Sequence, residues 1–367
     1  MSEHWLTTPN GLTRARGLGL PFDGTPGPFN AITDVAGVEV GYTTLIAGDG
    51  PLVVGQGPVR TGVTAILPRG RHGGHIPCAA APAVLNGNGE MTGLAWIAEC
   101  GELETPVTIT NTHSCGVARD ATIRWIVERG VAMGQDFSLP VAGETYDGVL
   151  NDINGFHVKE HHVLAALDGA AGGPIAMGSV GGGTGMRCYG FKGGSASASR
   201  IAGPYTVGVF VQANFGARHE LTVRGVPVGR EIPLETPPER PQGSIIAIVA
   251  TDAPLMAHQL ARLARRVPMG LARTGTIGHN GSGDIFLAFS TANAEGLAPG
   301  IPSPRPMRMV PNTGLDWLFG AVVEATEEAV IDAMVANATM TGINGATTPA
   351  LPHDRLVAIM RTHGRMA

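Results

Sequence analysis

Apolar and polar positions along this chain alternate between two patterns. Continuous apolar runs bounded by glycine or polar residues read as buried strands, and the longest is Ile245-Ile246-Ala247-Ile248-Val249-Ala250, headed by Gly243-Ser244. Residues 205–210 and 284–290 have the same character, and 38–42 and 61–67 carry the β-branched side chains of strands. Helical spacing predicts helices over 119–129, 158–168 (stopped by Gly169), 254–266, 315–337 and 354–362. Residues 221–232 read as a hairpin with glycine turns, and Pro21, Pro26 and Pro28 make an irregular chain of turns early on. Strands and helices mix without strict βαβ alternation or internal repeat, so a layered α+β architecture fits better than a doubly wound sheet.

The segment 233–242 breaks this pattern. Pro233, Pro237, Pro238 and Pro241 cannot sit in a central strand, so it reads as an exposed linker of the kind in which a chain can be nicked. Ser244 follows at the head of the apolar run. Two readings stand for it: a strand that begins with serine, or a cut site. Breaking the Gly243-Ser244 bond would give one residue both a hydroxyl nucleophile and an α-amino group with a pKa of about 7.7–8.0.

Composition narrows the function classes. The chain has 367 residues, 43% hydrophobic and only 15% charged, which excludes disorder and favours a deeply buried layered fold or an oligomer. A net charge of -5 offers no basic footprint for nucleic acid. No run reaches the ~18 apolar residues of a membrane span. Met1-Ser2-Glu3-His4-Trp5 lacks the basic and apolar regions of a secretory signal, so the expected compartment is the cytoplasm. The 54 glycines, without a collagen period, point to many tight turns and close backbone approaches.

Several local candidates carry little chemistry alone. Cys78, Cys100, Cys115 and Cys188 form no CxxC pair and read as structural thiols. On a strand His113 and Cys115 would share a face, which leaves a thiol dyad open. Residues 178–185 are glycine-rich but lack the Gly-Lys-Ser/Thr of a phosphate loop and read as a tightly packed turn. His72 and His75 have no third metal ligand, and His161 and His162 belong on a helix surface. Glu144 and Tyr146 stand two apart on what could be an ordinary surface strand. Asn280-Gly281-Ser282-Gly283-Asp284 is a turn by composition and lacks GxSxG spacing.

The order of these segments is more informative than any one of them. Thr25-Pro26-Gly27-Pro28, Glu144-Thr145-Tyr146-Asp147-Gly148, Asn151-Asp152-Ile153-Asn154-Gly155, the 178–186 run, Asn214-Phe215-Gly216, Gly243-Ser244-Ile245-Ile246 and Asn280-Gly281-Ser282-Gly283-Asp284 follow one another. In that order the chain resembles the DmpA/BapA family of self-processing aminopeptidases, which includes L-aminopeptidase/D-amidase-esterases and β-peptidyl aminopeptidases. The resemblance runs from about residue 14 to the end. It implies a four-layer αββα sandwich like that of N-terminal nucleophile hydrolases with different connectivity. It also implies a single hydrolase domain cut into a larger subunit, 1–243, and a smaller one, 244–367.

Carried over by position, the resemblance makes Gly243-Ser244 the cleavage site and Ser244 the nucleophile. It makes Ser282 and Asp284 the pair that orients the nucleophile and its amine, although some relatives have glutamate at the second position. Asn214 becomes the oxyanion donor, Tyr146 its assistant, and Glu144 the carboxylate that holds the substrate ammonium. No metal or organic cofactor is implied. The implied partners are a short peptide, amide or ester with a free amino terminus, and further copies in a homo-oligomer of processed heterodimers; no nucleic acid or membrane is expected. Preference among L-α, D-α and β-aminoacyl substrates stays open, since pocket shape decides it. An amidase or esterase acting mainly on D- or β-amino-acid derivatives is the alternative within this class. From other classes, a related-fold amino-acid N-acyltransferase would use threonine where Ser244 stands, a Cys115/His113 hydrolase would be inactivated by iodoacetamide, and a non-catalytic scaffold would stay uncut.

Overall fold

The computed structural model describes residues 2–73, 76–131, 135–233, 243–300 and 303–366. In chain order the strands of its two larger sheets are β1 (Glu39–Ala47), β2 (Val59–Leu67), β3 (Cys78–Gly87), β4 (Glu102–Leu103), β5 (Val107–Asn111), β6 (Val141–Thr145), β7 (Gly194–Ala202), β8 (Tyr205–Asn214), β9 (Ser244–Thr251) and β10 (Gly283–Ser290). One sheet runs β1-β2-β5-β6 and the other β4-β3-β10-β9-β8-β7. Helices α1 (Cys115–Glu128) and α2 (Glu160–Asp168) cover the first sheet. Helices α3 (Ala257–Ala264), α4 (Val267–Arg273) and α5 (Asp316–Val335) form the layer over the second. The result is the αββα sandwich that the resemblance implied.

The long apolar run is the centre of the larger sheet. All eight residues of β9 are buried, because β8 flanks it antiparallel, β10 flanks it parallel, and layers lie on both faces. A parallel pair needs a crossover, and α3 and α4 lie in the segment that makes it. Across the sandwich β6 packs on β9: a Cβ on Gly143 would lie 3.4 Å from Ile246 Cδ1. Val63, Ala65 and Leu67 of β2 turn the other way and share a second core with Trp125, Ile126, Val163 and Leu167 of α1 and α2. No helix among the described residues is long and apolar enough to cross a membrane.

Most expected elements form, with ends shifted by packing. The strand expected over 205–210 runs to Asn214, and the helix expected over 254–266 is two helices, α3 and α4. The stretch 221–232 differs more. Arg224 and Gly225 both take positive φ and make a tight turn, but only Val223 and Val226 bridge. Pro227 has no N–H to extend the ladder, and Val228–Glu231 coils into a helical turn instead. The glycine-rich run 178–185 is wedged between the sheets; a Cβ on Gly182 would meet Gln212 Oε1 at 2.2 Å and Ile109 O at 2.5 Å. Of the expected linker only Pro233 is described, and His75 also lies outside the described residues. β7 escapes sequence reading because its Gly-Ser-Ala-Ser-Ala-Ser start has no β-branched or aromatic side chain.

That small-residue strand seats the N-terminal arm. Ser197 Oγ accepts from Ile32 N at 2.7 Å and Ser199 Oγ from Gly27 N at 2.9 Å. Beneath them lies a buried ion network. Arg14 donates to Asp332 Oδ2 at 2.7 and 2.9 Å and to four main-chain carbonyls. Glu328 accepts from Arg16 at 2.7 and 2.8 Å, from Arg200 at 2.6 Å and from Asn30 Nδ2 at 2.6 Å. Burial alone would raise Glu328, but the charges of Arg200, Arg16 and Arg14 hold its carboxyl down to about 2. A depressed carboxyl stabilises the fold above its unfolded pKa of about 4.3, and that contribution is lost as pH falls towards about 2. Unfolding free energy measured by urea titration should therefore drop across that window, and Glu328→Gln should reduce the slope there by one proton. An equal slope in the variant would show that Glu328 does not carry this pH dependence.

Candidate active site

Three strand ends align to build the candidate site. In register, Asn214 at the end of β8 faces Ser244 at the start of β9, and Ser244 faces Gly283 at the start of β10. Ser282 and Asp284 flank Gly283, so the register brings four candidates from three distant segments to one edge. Ser244 is 6% exposed, and its Oγ accepts from Gly283 N at 3.2 Å, which leaves its own proton free to donate. Gly243 precedes it against the backbone of β8. A Cβ there would come 2.4 Å from Asn214 O and 2.5 Å from Phe215 Cα, so no other residue fits this position without movement.

Each neighbour is held in one orientation. Ser282 Oγ donates to Asp284 Oδ1 at 2.6 Å, and Asn86 Nδ2 donates to Asp284 Oδ2 at 2.8 Å. Burial raises the Asp284 carboxyl, while Ser282 and Asn86 pull it back by bonding to the ionised form. Asn214 is oriented by partners that leave no choice. Arg187 N can only donate and does so to Oδ1 at 2.8 Å; Tyr146 O can only accept and takes Nδ2 at 2.9 Å. One N–H of the Asn214 amide remains without a partner among the described residues.

Glu144 and Tyr146 arrive from the other sheet. Glu144 is not on a surface strand: it lies in β6, paired with Thr110 of β5 and only 3% exposed, because β6 is sandwiched between β9 and α1. Its Oε1 accepts from Glu90 N at 2.9 Å. Burial raises its carboxyl; the Thr112 hydroxyl and the Glu90 N–H offset part of that. A Cβ on Gly89 would touch both Glu144 Oε1, at 3.0 Å, and Gly283 Cα, at 3.2 Å, so the carboxylate lies one glycine away from the strand ends. Tyr146, just past β6, is 41% exposed with its phenol packed over Gly148. A small cavity next to these strand ends is lined by Gly243, Phe215, Leu271, His279, Ser282 and Asp284.

Sequence reasoning missed Asn86, Gly89 and Glu90, which hold Asp284 and Glu144, and the backbone of Arg187, which holds Asn214. The turn-rich run Asn86-Gly87-Asn88-Gly89-Glu90 was the available signal for the first group. The thiol dyad does not form. Cys115 opens α1 rather than lying on a strand, its thiol donates to Ala142 O at 3.2 Å, and exposed His113 stacks on Phe156 at 5.9 Å. Burial, with Glu144 and Glu90 nearby, pushes the Cys115 thiol up to about 12. His161 and His162 sit on α2 with ring centroids 4.0 Å apart. Among the described residues no three His, Cys, Asp or Glu side chains are grouped to hold a metal ion.

Comparison with known proteins gives one consistent result. Residues 30–348 match peptidase family S58. The chain is 51% identical to the β-peptidyl aminopeptidase BapA of Sphingosinicella microcystinivorans over 373 residues, covering 96% of this chain and 93% of that one. Its fold is similar to that of the L-aminopeptidase D-Ala-esterase/amidase of Ochrobactrum anthropi, described as a prototype for the serine aminopeptidases and a variant of the Ntn hydrolase fold. There the TM-score is 0.89 at 48% identity, over 96% of this chain and 99% of the other. A β-aminopeptidase of a Burkholderia species is likewise similar, with a TM-score of 0.88 at 47% identity and the same coverage. The pushed-up thiol has a direct check: iodoacetamide at pH 8 should leave Cys115 unmodified in the folded chain by mass spectrometry, and labelling before unfolding would contradict its burial.

Proposed function

The chain belongs to peptidase family S58 and is an aminopeptidase, and from that premise we propose that it first cuts its own Gly243-Ser244 bond and then uses Ser244 to release N-terminal residues from short peptides, amides or esters. The register that aligns Asn214, Ser244 and Gly283 carries this reading, because it gathers a nucleophile, an amide donor and an orienting pair at one sheet edge. In the first stage Ser244 Oγ attacks the Gly243 carbonyl. The amide becomes an ester by N-to-O acyl shift, and water hydrolyses it. The tight fit of Gly243 against Asn214 and Phe215 supports this, since it holds the carbonyl carbon next to the hydroxyl and admits no side chain.

In the second stage the freed α-amine of Ser244, or Ser282 relaying to it, takes the hydroxyl proton as Oγ attacks the substrate carbonyl. Asp284 acts through Ser282 as a positioning residue. The open N–H of Asn214, aided by the Tyr146 phenol, receives the developing oxyanion; one such donor is worth about 2.7–4 kcal/mol in comparable sites. The leaving amine takes the proton back, and water releases the acyl group from Ser244. Glu144 pairs with the substrate ammonium, which limits the enzyme to free amino termini. Burial raises the Glu144 carboxyl, and an ammonium opposite it would stabilise the ionised form.

The same proposal makes 1–243 and 244–367 co-folded subunits that assemble as an oligomer of processed heterodimers in the cytoplasm. The buried network of Arg14, Arg16 and Arg200 with Glu328 and Asp332 supports continued association, since it crosses the cut. The similarity to a β-peptidyl aminopeptidase supports β-aminoacyl substrates as the preferred class.

On a denaturing gel the wild-type chain should run as two bands and Ser244→Ala as one of full length; Gly243→Ala should stay largely uncut because its Cβ has no room. Cleavage at 243/244 in Ser244→Ala would sink the mechanism. In the processed enzyme Glu144→Gln should raise KM for β-alanyl p-nitroanilide roughly 10- to 100-fold, the loss of one charged hydrogen-bonded pair. An unchanged KM would remove Glu144 from ammonium binding.

A further inference from the structure

Two guanidinium groups on segments that touch the site have no carboxylate opposite them among the described residues. Arg218 is 7% exposed and spans three neighbours: Nε donates to Tyr189 O at 2.7 Å, Nη1 donates to Ile232 O at 3.0 Å, and its plane lies 3.2 Å from the centre of the Phe191 ring. Its Nη2 is buried with no partner. The half-buried Arg187 side chain donates no hydrogen bond to any described residue, and its Nε is buried and unpartnered. Burial, with the Arg187 charge alongside, lowers Arg218 to about 10. Buried arginines elsewhere in the fold are neutralised, Arg14 by Asp332 and Arg200 by Glu328. Unpaired buried charge costs several kcal/mol, and two like charges together cost more. A pair with buried, unpartnered N–H groups suits an anionic ligand.

Position narrows that ligand to one chemistry. The Arg187 N–H holds Asn214 Oδ1, so the backbone of Arg187 is one hydrogen bond from the amide beside Ser244. Arg218 holds the carbonyl of Ile232 through Nη1. Tyr189, which Arg218 also holds, donates its N–H to Phe215 O, and Phe215 Cα is the atom against which Gly243 packs. The backbone of Arg187 is thus tied to the residue that faces Ser244, and Arg218 is tied through Tyr189 to the residue against which Gly243 packs. Reactions at Ser244 bring a terminal carboxylate there by two routes: self-cleavage leaves one on Gly243, and a dipeptide carries one a single residue past its scissile bond. A guanidinium fork binds such a group through two parallel hydrogen bonds.

We propose that Arg187 and Arg218 form a binding site for a peptide C-terminal carboxylate, supplied by a short substrate or by Gly243 after the cut. The inference rests on Ser244 being the nucleophile.

The test compares processed wild type with Arg187→Met, using β-alanyl-alanine and β-alanyl-alanine amide as paired probes. If substrate supplies the carboxylate, the acid-to-amide ratio of kcat/KM falls roughly 10- to 100-fold in the variant, through KM. Arg187→Lys then recovers part of the ratio, keeping the charge and losing the fork. If Gly243 supplies it, the ratio holds, but Arg187→Met lowers the Tm of the processed enzyme more than it lowers that of the uncut Ser244→Ala chain. An unaltered ratio together with equal Tm changes overturns the site. Wild type inert towards both probes would overturn the nucleophile reading, and this inference with it.

Discussion

The register of the central strand is the constraint on which the site depends. β9 is bound on one side by the antiparallel β8 and on the other by the parallel β10, and both ladders place their partners at its first residue. Side chains along a strand alternate between faces, so a slip of one residue would turn Ser244 away and pair Asn214 with the wrong neighbour. The slip is prevented by burial. Every residue of β9 is enclosed, and Ile246 meets Gly143 of the opposite sheet, so displacement would force polar groups into the core and open voids. Core packing thereby sets the geometry of the candidate site.

Two other features follow from that arrangement. Because the strand ends coincide, backbone atoms do much of the orienting. Gly283 N fixes the Ser244 hydroxyl, Arg187 N and Tyr146 O fix the Asn214 amide, and Glu90 N fixes the Glu144 carboxylate. Backbone groups have little freedom to relax, which suits a site that must hold its donors in place before charge develops. On the far side of the sheet, the N-terminal arm and α5 are joined by buried ion pairs that do not pass through residues 234–242.

Legibility from sequence followed the strength of the local signal. The apolar run of β9 and the long α5 were readable because burial on both faces and helical spacing leave plain marks. β7 was not, since alternating glycine, serine and alanine mark a strand only once an arm is seen to hydrogen-bond to it. The 221–232 stretch misled, because a tight glycine turn suggests a hairpin whether or not the following Pro227 can continue the ladder. Cys115 and His113 misled for a similar reason: spacing puts them on one face only if the backbone is extended, and there it turns into a helix.

The sequence by itself determined the kind of molecule this is. It set a layered α+β chain with a serine candidate at an expected cut site, and an ordered set of motifs sufficient to indicate the family. The resemblance grouped Glu144, Asn214, Ser244 and Asp284, but local pattern could not show how they meet or add Asn86 and Glu90, because these residues lie on segments far apart in the chain that meet only through strand pairing across two sheets. Tertiary structure decided that Glu144 is buried rather than on the surface, that the Cys115 thiol is buried against the Ala142 carbonyl, and that Arg187 and Arg218 have no carboxylate partner among the described residues. The reason is physical: burial and the absence of a partner are properties of the surroundings, and surroundings exist only once the layers have packed.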